Sequence, residues 1–233
     1  MAADPRRLIL LSLIVAVALT GTFARDMWTP DEHRVTAMSI EMAETGDLVI
    51  PRLAGVPFLQ KPPLYFAVAA GAIELFDDLL PPAGAVRFTS VLWGFGVLLL
   101  SWSTARRLSE DPRRAWATVL ILGTGLGFVE NQLWIRVDAE LAFFVSAAIW
   151  AFAEAYAGGR RWAVAAAGLF LAGGFLAKGP IAPLLVFPVW LALLWAYPLR
   201  AGAHGGWRGL SLPIHAVAGL LFVGASGVWV ALL

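Results

Sequence analysis

Seven apolar runs dominate this chain, and a run of that kind confines its backbone to a membrane helix. A helix needs about 20 residues to cross the hydrocarbon core, with a range of about 17–25. The runs are Leu8 to Ala24, Phe88 to Ala105, Ala115 to Val129, Leu141 to Ala157, Trp162 to Ala177, Pro180 to Leu199 and Leu210 to Leu233. Some are short, so they tilt little, thin the bilayer or form hairpins that span only in part. Hydrophobic residues make up 60% of the chain and charged ones 14%, against about 25% charged in a soluble domain. The sequence therefore predicts an all-α integral membrane protein. Eleven tryptophans suit a chain with many membrane–water boundaries.

The same numbers exclude several function classes. A net charge of +1 gives no electrostatic case for nucleic acid. Cysteine is absent, so there is no disulfide, thiolate metal site or thiol nucleophile. His204 and His215 stand alone and match no zinc spacing.

Arginine and lysine in the short connections set orientation. Strict alternation of the runs puts Arg6, Arg7, Arg106, Arg107, Arg113, Arg114, Arg160, Arg161, Arg200 and Arg208 on one side, which is therefore cytoplasmic. Arg25, Arg34, Arg52, Lys61, Arg87, Arg136 and Lys178 fall on the other side, as do Asp31, Glu32, Glu41, Glu44, Asp47 and Asp138. The expected protein is multi-pass in the plasma (inner) membrane, with its amino terminus inside. A cleaved signal peptide is the competing reading of Leu8 to Ala24, given Arg6-Arg7 before it. The length of the run and the downstream topology favour retention.

The outer loop, about Arg25 to Gly84, is too long for a simple connection, and such loops usually carry function. Thr29 is placed as an N-cap, Pro30 suits the first turn and Glu32 completes a capping box. Val35, Met38 and Met42 recur at helical spacing, and Gly46 supplies a stop. This predicts an amphipathic helix over Pro30 to Thr45, lying on the outer membrane surface. Leu64 to Phe76, introduced by Pro62-Pro63, reads as a second interfacial helix. On the plainest account Asp31 and Glu32 only complement a helix dipole and Lys61 only snorkels. Two charged motifs in tandem, with Asp31 and Lys61 thirty residues apart, argue for chemistry instead.

At these motifs the chain resembles polyprenyl-phosphate-dependent glycosyltransferases of the GT-C fold, in the branch of lipid A aminoarabinose transferases and protein O-mannosyltransferases. The resemblance rests on Pro30-Asp-Glu-x-Arg34 with Glu41-Met and Gly46-Asp47, and on Pro51-Arg-Leu-x-Gly55 leading to Phe58-Leu-Gln-Lys-Pro-Pro-Leu-Tyr65. Arg136-Val-Asp138 and Lys178-Gly-Pro180 complete it. It implies a multi-span bundle with interfacial helices in its first outer loop, and a sugar moved from a polyprenyl-phosphate donor to an envelope acceptor on the outer side. The acceptor expected first is lipid A, followed by a protein or glycan hydroxyl. It also implies roles for single residues. Asp31 would be the general base, Asp138 a second acid and Glu32 a member of the catalytic group. Lys61 would meet the donor phosphate, with Arg34, Arg87 and Lys178 as further contacts. The residue before that lysine is often glutamate in the aminoarabinose branch, where it can ligate a divalent cation. Here it is Gln60, a poorer ligand for a hard metal. A divalent cation is thus an option rather than a requirement, and Gln60 can instead bond a sugar hydroxyl.

Members of this group carry further spans and usually a carboxy-terminal soluble domain. The chain, ending at Val230-Ala-Leu-Leu233 inside an apolar run, reads as the amino-terminal part of such an enzyme. Two rival functions stand beside the transferase: a non-catalytic lipid-phosphate-binding or assembly subunit, and a lipid transporter. The near absence of mid-span charge weighs against the transporter.

Overall fold

The computed structural model describes residues 12, 13, 16, 26–28, 30–200 and 212–233. The expected span Leu8 to Ala24 lies outside those residues except for three helical positions, Ser12, Leu13 and Ala16, and the N-cap Thr29 lies outside them as well.

Helix α1 runs Pro30–Thr45, as its pattern predicts. Proline at the first position and Asp31 and Glu32 in the first turn suit a helix start. Gly46, at φ 70°, ends it and donates its N–H to Met42 O at 2.9 Å. Asp47 then accepts from the N–H groups of Val49 and Ile50 and turns the chain. A hairpin follows, β1 (Arg52–Leu53) antiparallel to β2 (Val56–Pro57). Its two turn residues, Ala54 and Gly55, both have positive φ, as a tight primed turn requires. Gly55 N–H reaches Glu41 Oε1 at 3.0 Å and fastens the hairpin to α1.

Helix α2, Leu64–Leu75, packs on α1 and on α3, Pro82–Leu108. The apolar stripe of α1 is not laid on a membrane surface, contrary to expectation. Val35, Met38 and Met42 are buried with Tyr65, Phe66, Ala69 and Ala70 of α2 and with Val86, Ile135 and Val137. Protein atoms cover the stripe because α2 supplies an equally apolar face at the right distance.

The run Ala115 to Val129 was expected as one span and is two helices, α4 (Pro112–Gly123) and α5 (Leu126–Leu133). Gly123, Gly125 and Gly127 explain the break, since each glycine costs a helix interior about 1 kcal/mol. The remaining runs are single helices: α6 (Val137–Tyr156), α7 (Trp162–Lys178), α8 (Ile181–Arg200) and α9 (Leu212–Leu232). Among the described residues, α3 and the segment Pro213–Leu232 are long and apolar enough to cross a membrane. Leu64–Leu75, Trp162–Lys178 and Ile181–Trp195 are shorter apolar helices.

Contacts fix how the helices run. Arg107 bonds Glu154, Ser103 bonds Trp150, and Gly96 faces Phe143, so α3 and α6 lie parallel with a constant offset. Helix α7 returns antiparallel along α6: Lys178 meets Asp138 at one end, and Glu154 holds Arg107 and Arg160 at the other. Small residues let α7 and α9 approach closely, for a Cβ on Gly168 would collide with the Ala218 carbonyl. Trp229 of α9 donates to Val49 O at 3.1 Å, so the end bearing Lys178 is also the end bearing the loop that follows α1.

Candidate active site

The site is assembled at that end by one buried carboxylate. Asp31 and Glu32 are neighbours in the first turn of α1, so they point in different directions. Asp31 faces outward, with 64% of its side chain exposed, and pairs with Arg34 at 4.0 Å one turn on. Glu32 is fully buried. Its Oε2 accepts the Trp28 N–H at 2.9 Å and its Oε1 accepts the Ile135 N–H at 3.0 Å. Hydrogen bonds to a carboxylate are about twice as strong as neutral ones. Glu32 thus binds the start of α1 to the turn that leads into α6, and so carries Asp31 to the end of the bundle where Asp138 lies.

Asp138 occupies the first turn of α6, not the N-cap, which is Arg136. Its Oδ1 accepts a charge-assisted hydrogen bond from Lys178 Nζ at the last position of α7. Two residues singled out separately in the sequence therefore form one ion pair.

The second motif is placed by Tyr65. Lys61 sits half-buried in the turn before α2, beside exposed Gln60. Tyr65, the second residue of α2, is fully buried, and its hydroxyl lies 3.2 Å from Ser90 Oγ. Burial pushes the Tyr65 phenol up to about 12. The Tyr65–Ser90 contact holds the Lys61 turn against the amino-terminal end of α3, where Arg87 is buried one turn before Ser90. Arg34 stays with Asp31 on the exposed side of α1, so the expected phosphate contacts lie on α1, on α3, on α7 and in the turn before α2.

Gln60 is neutral, and among the described residues no three His, Asp or Glu side chains converge.

Three side chains stand in this region without having been assigned by the sequence. Glu140 is fully buried two residues after Asp138, and neither carboxylate oxygen has a hydrogen-bond partner among the described residues. Trp28 and Trp134 bring their rings together at 6.2 Å, and the Arg136 guanidinium lies 4.1 Å from the Trp134 ring. Their signal was compositional only, an aromatic just before Asp31 and another just before Asp138, and tryptophan is common in chains of this type.

Comparison with known proteins gives a concordant picture. The family model for dolichyl-phosphate-mannose-protein mannosyltransferase matches residues 60–223. Undecaprenyl phosphate-alpha-4-amino-4-deoxy-L-arabinose arabinosyl transferase 2 of Pseudomonas fluorescens (strain Pf0-1) is 30% identical over 194 residues, covering 80% of this chain and 34% of that protein. The corresponding transferase of Pseudomonas aeruginosa is 34% identical over 175 residues, 72% of this chain and 30% of its own length. The chain thus spans only a third or so of these relatives. Among solved structures, ArnT from Cupriavidus metallidurans bound to undecaprenyl phosphate superposes with a TM-score of 0.81 at 24% identity. It covers 99% of this chain and 42% of that one. At this identity the likeness concerns the fold.

Proposed function

Because the chain belongs to the dolichyl-phosphate-mannose-protein mannosyltransferase family, we propose that it forms the donor- and acceptor-facing part of a glycosyltransferase that draws on a polyprenyl-phosphate sugar. The observation that carries this reading is the Glu32 bridge, which brings exposed Asp31 to the same end of the bundle as the Asp138–Lys178 pair. The relatives are undecaprenyl-phosphate aminoarabinose transferases, which favours an undecaprenyl-phosphate donor and lipid A as acceptor.

In this reading the acceptor oxygen attacks the anomeric carbon from the face opposite the phosphate, inverting it. The bond from that carbon to the phosphate oxygen breaks, and the lipid phosphate leaves with its charge. Asp31, accessible on the exposed side of α1, takes the acceptor hydroxyl proton. Where the acceptor is an ionised phosphate, Asp31 orients it. Lys61 receives the leaving phosphate as a point charge, with Arg87 and Arg34 as additional cations. Lys178, paired with Asp138, adds positive charge near the leaving group. Glu32, both of whose oxygens accept backbone N–H groups, is a positioning residue. Gln60 is free to bond a sugar hydroxyl.

The same reading makes the chain a multi-pass protein of the inner membrane. The arginines Arg106, Arg107, Arg160 and Arg161 gather at the end opposite Asp31, which supports a cytoplasmic placement for them and an outer site.

The test is transfer of radiolabelled sugar from undecaprenyl phosphate to lipid A in membranes, comparing the wild type with Asp31→Asn. Asparagine keeps shape and capping ability but cannot take a proton. Transfer should fall by about 10²–10⁴-fold with the protein inserted and folded. Equal rates in both would reduce Asp31 to a helix-start residue.

A further inference from the structure

Trp28 is 78% exposed, immediately ahead of the turn that carries Asp31. It is not loose. Its ring leans on Trp134 at 41° between planes, and Arg136 caps the far indole at 4.1 Å. Arg136 makes no ion pair among the described residues, and its guanidinium sits against the ring face. Both ring-bearing segments are secured by the same buried group: Glu32 accepts from the backbone of Trp28 and from that of Ile135, the residue after Trp134. An aromatic that merely marks the membrane boundary needs its own side chain at headgroup level and nothing more. Burying a carboxylate to hold two aromatic segments in register is costly unless that register has a use.

The composition of the patch says what it suits. An indole pair offers an apolar face to the C–H side of a pyranose ring. A guanidinium at its edge offers two parallel donors to a phosphate. Asp31, three residues beyond Trp28, and Asp138, two beyond Arg136, offer acceptors to hydroxyls. Each of those carboxylates already has a cationic partner, Arg34 and Lys178, so an anion is not repelled from the patch. Apolar stacking combined with one cation and flanking acceptors is the pattern of a sugar site with an anionic substituent.

We propose that Trp28, Trp134 and Arg136 form the subsite for the sugar headgroup of an anionic glycolipid acceptor, its ring stacked on the indoles and its phosphate on Arg136. The inference rests on the transferase reading and specifies where that enzyme takes its second substrate. The donor occupies the Lys61 side, so the two substrates approach Asp31 from different elements.

Equilibrium binding of bisphosphorylated lipid A to the full chain in nanodiscs tests it, with steady-state transfer as a second readout. Trp28→Ala and Trp134→Ala should each weaken lipid A binding and raise the acceptor KM about tenfold, leaving donor KM unchanged, whereas Trp28→Phe stays within about twofold. Arg136→Gln should abolish the preference for bisphosphorylated over monophosphorylated lipid A. The proposal is overturned if Trp28→Ala binds lipid A as the wild type does. It is equally overturned if that variant loses affinity for phosphatidylglycerol vesicles to the same extent, which would make the tryptophans membrane anchors. A wild type that binds lipid A but transfers nothing would sink the transferase reading and leave the subsite standing. Transfer by the wild type with an unchanged acceptor KM in Trp28→Ala would do the reverse.

Discussion

At Glu32 one side chain decides whether two distant segments meet, and its neighbour Asp31 is useful only if they do. Glu32→Gln keeps the size but leaves one amide oxygen to serve N–H groups that two carboxylate oxygens now serve. The variant should lose about 1–3 kcal/mol of stability, visible as a lower unfolding midpoint, and transfer should fall with it while Asp31 itself is intact. An unchanged midpoint would show that the bridge is dispensable. Tyr65 gives a pH signature. Its folded pKa, about 12, lies above the ordinary value of 10.0, so the protonated form is favoured in the fold. That contribution is complete below pH 10.0 and lost as pH rises towards about 12. Alkaline unfolding curves of the wild type should steepen across that window, and Tyr65→Phe should flatten them.

Among the elements, α1 and α7 are the two whose packing the site depends on. The spacing of Val35, Met38 and Met42 made α1 legible as a helix with one apolar face. What that face touches was not legible, because a stripe of this width suits lipid and protein equally well. The structure puts it on α2. Helix α7 depends on small residues, and Gly168 lies against the α9 backbone. Gly168→Leu should separate the two helices, lower the unfolding midpoint and release the Trp229–Val49 hydrogen bond that ties α9 to the loop after α1. Protection of that loop from proteolysis is the measurement, and equal protection in wild type and variant would refute the coupling. The broken run at Thr124-Gly125 belongs to this scale too: its hydropathy reads as one span, and only glycine content hinted otherwise.

For the molecule as a whole, the end that carries the candidate site and the arginine-rich end are distinct. Charged contacts mark both: Asp138–Lys178 at the first, and Arg107 and Arg160 around Glu154 at the second. The chain has no cysteine, so single introduced thiols report sidedness without background. Cysteine at Gln60 should react with an impermeant maleimide in intact spheroplasts, and cysteine at Ser109 should react only after permeabilisation. The opposite pattern would invert the proposed orientation and move the site to the cytoplasmic face.

The sequence by itself determined most of the described helices, their order, and which charged residues are unusual enough to matter. Helical periodicity, glycine and proline punctuation and hydropathy are local properties, and each acts within one or two turns. Asp31, Lys61, Asp138 and Lys178 were each noticeable on those grounds. Only the tertiary structure decided that Glu32 turns inward to two backbone N–H groups, that Asp138 pairs with Lys178, that Glu140 lies buried without a hydrogen-bond partner among the described residues and that Trp28 meets Trp134. Those facts depend on side-chain direction and on contacts between segments far apart in the chain. Neighbours such as Asp31 and Glu32 look alike in the sequence and take opposite roles, because a helix turns about 100° per residue and only one of the two can face the core.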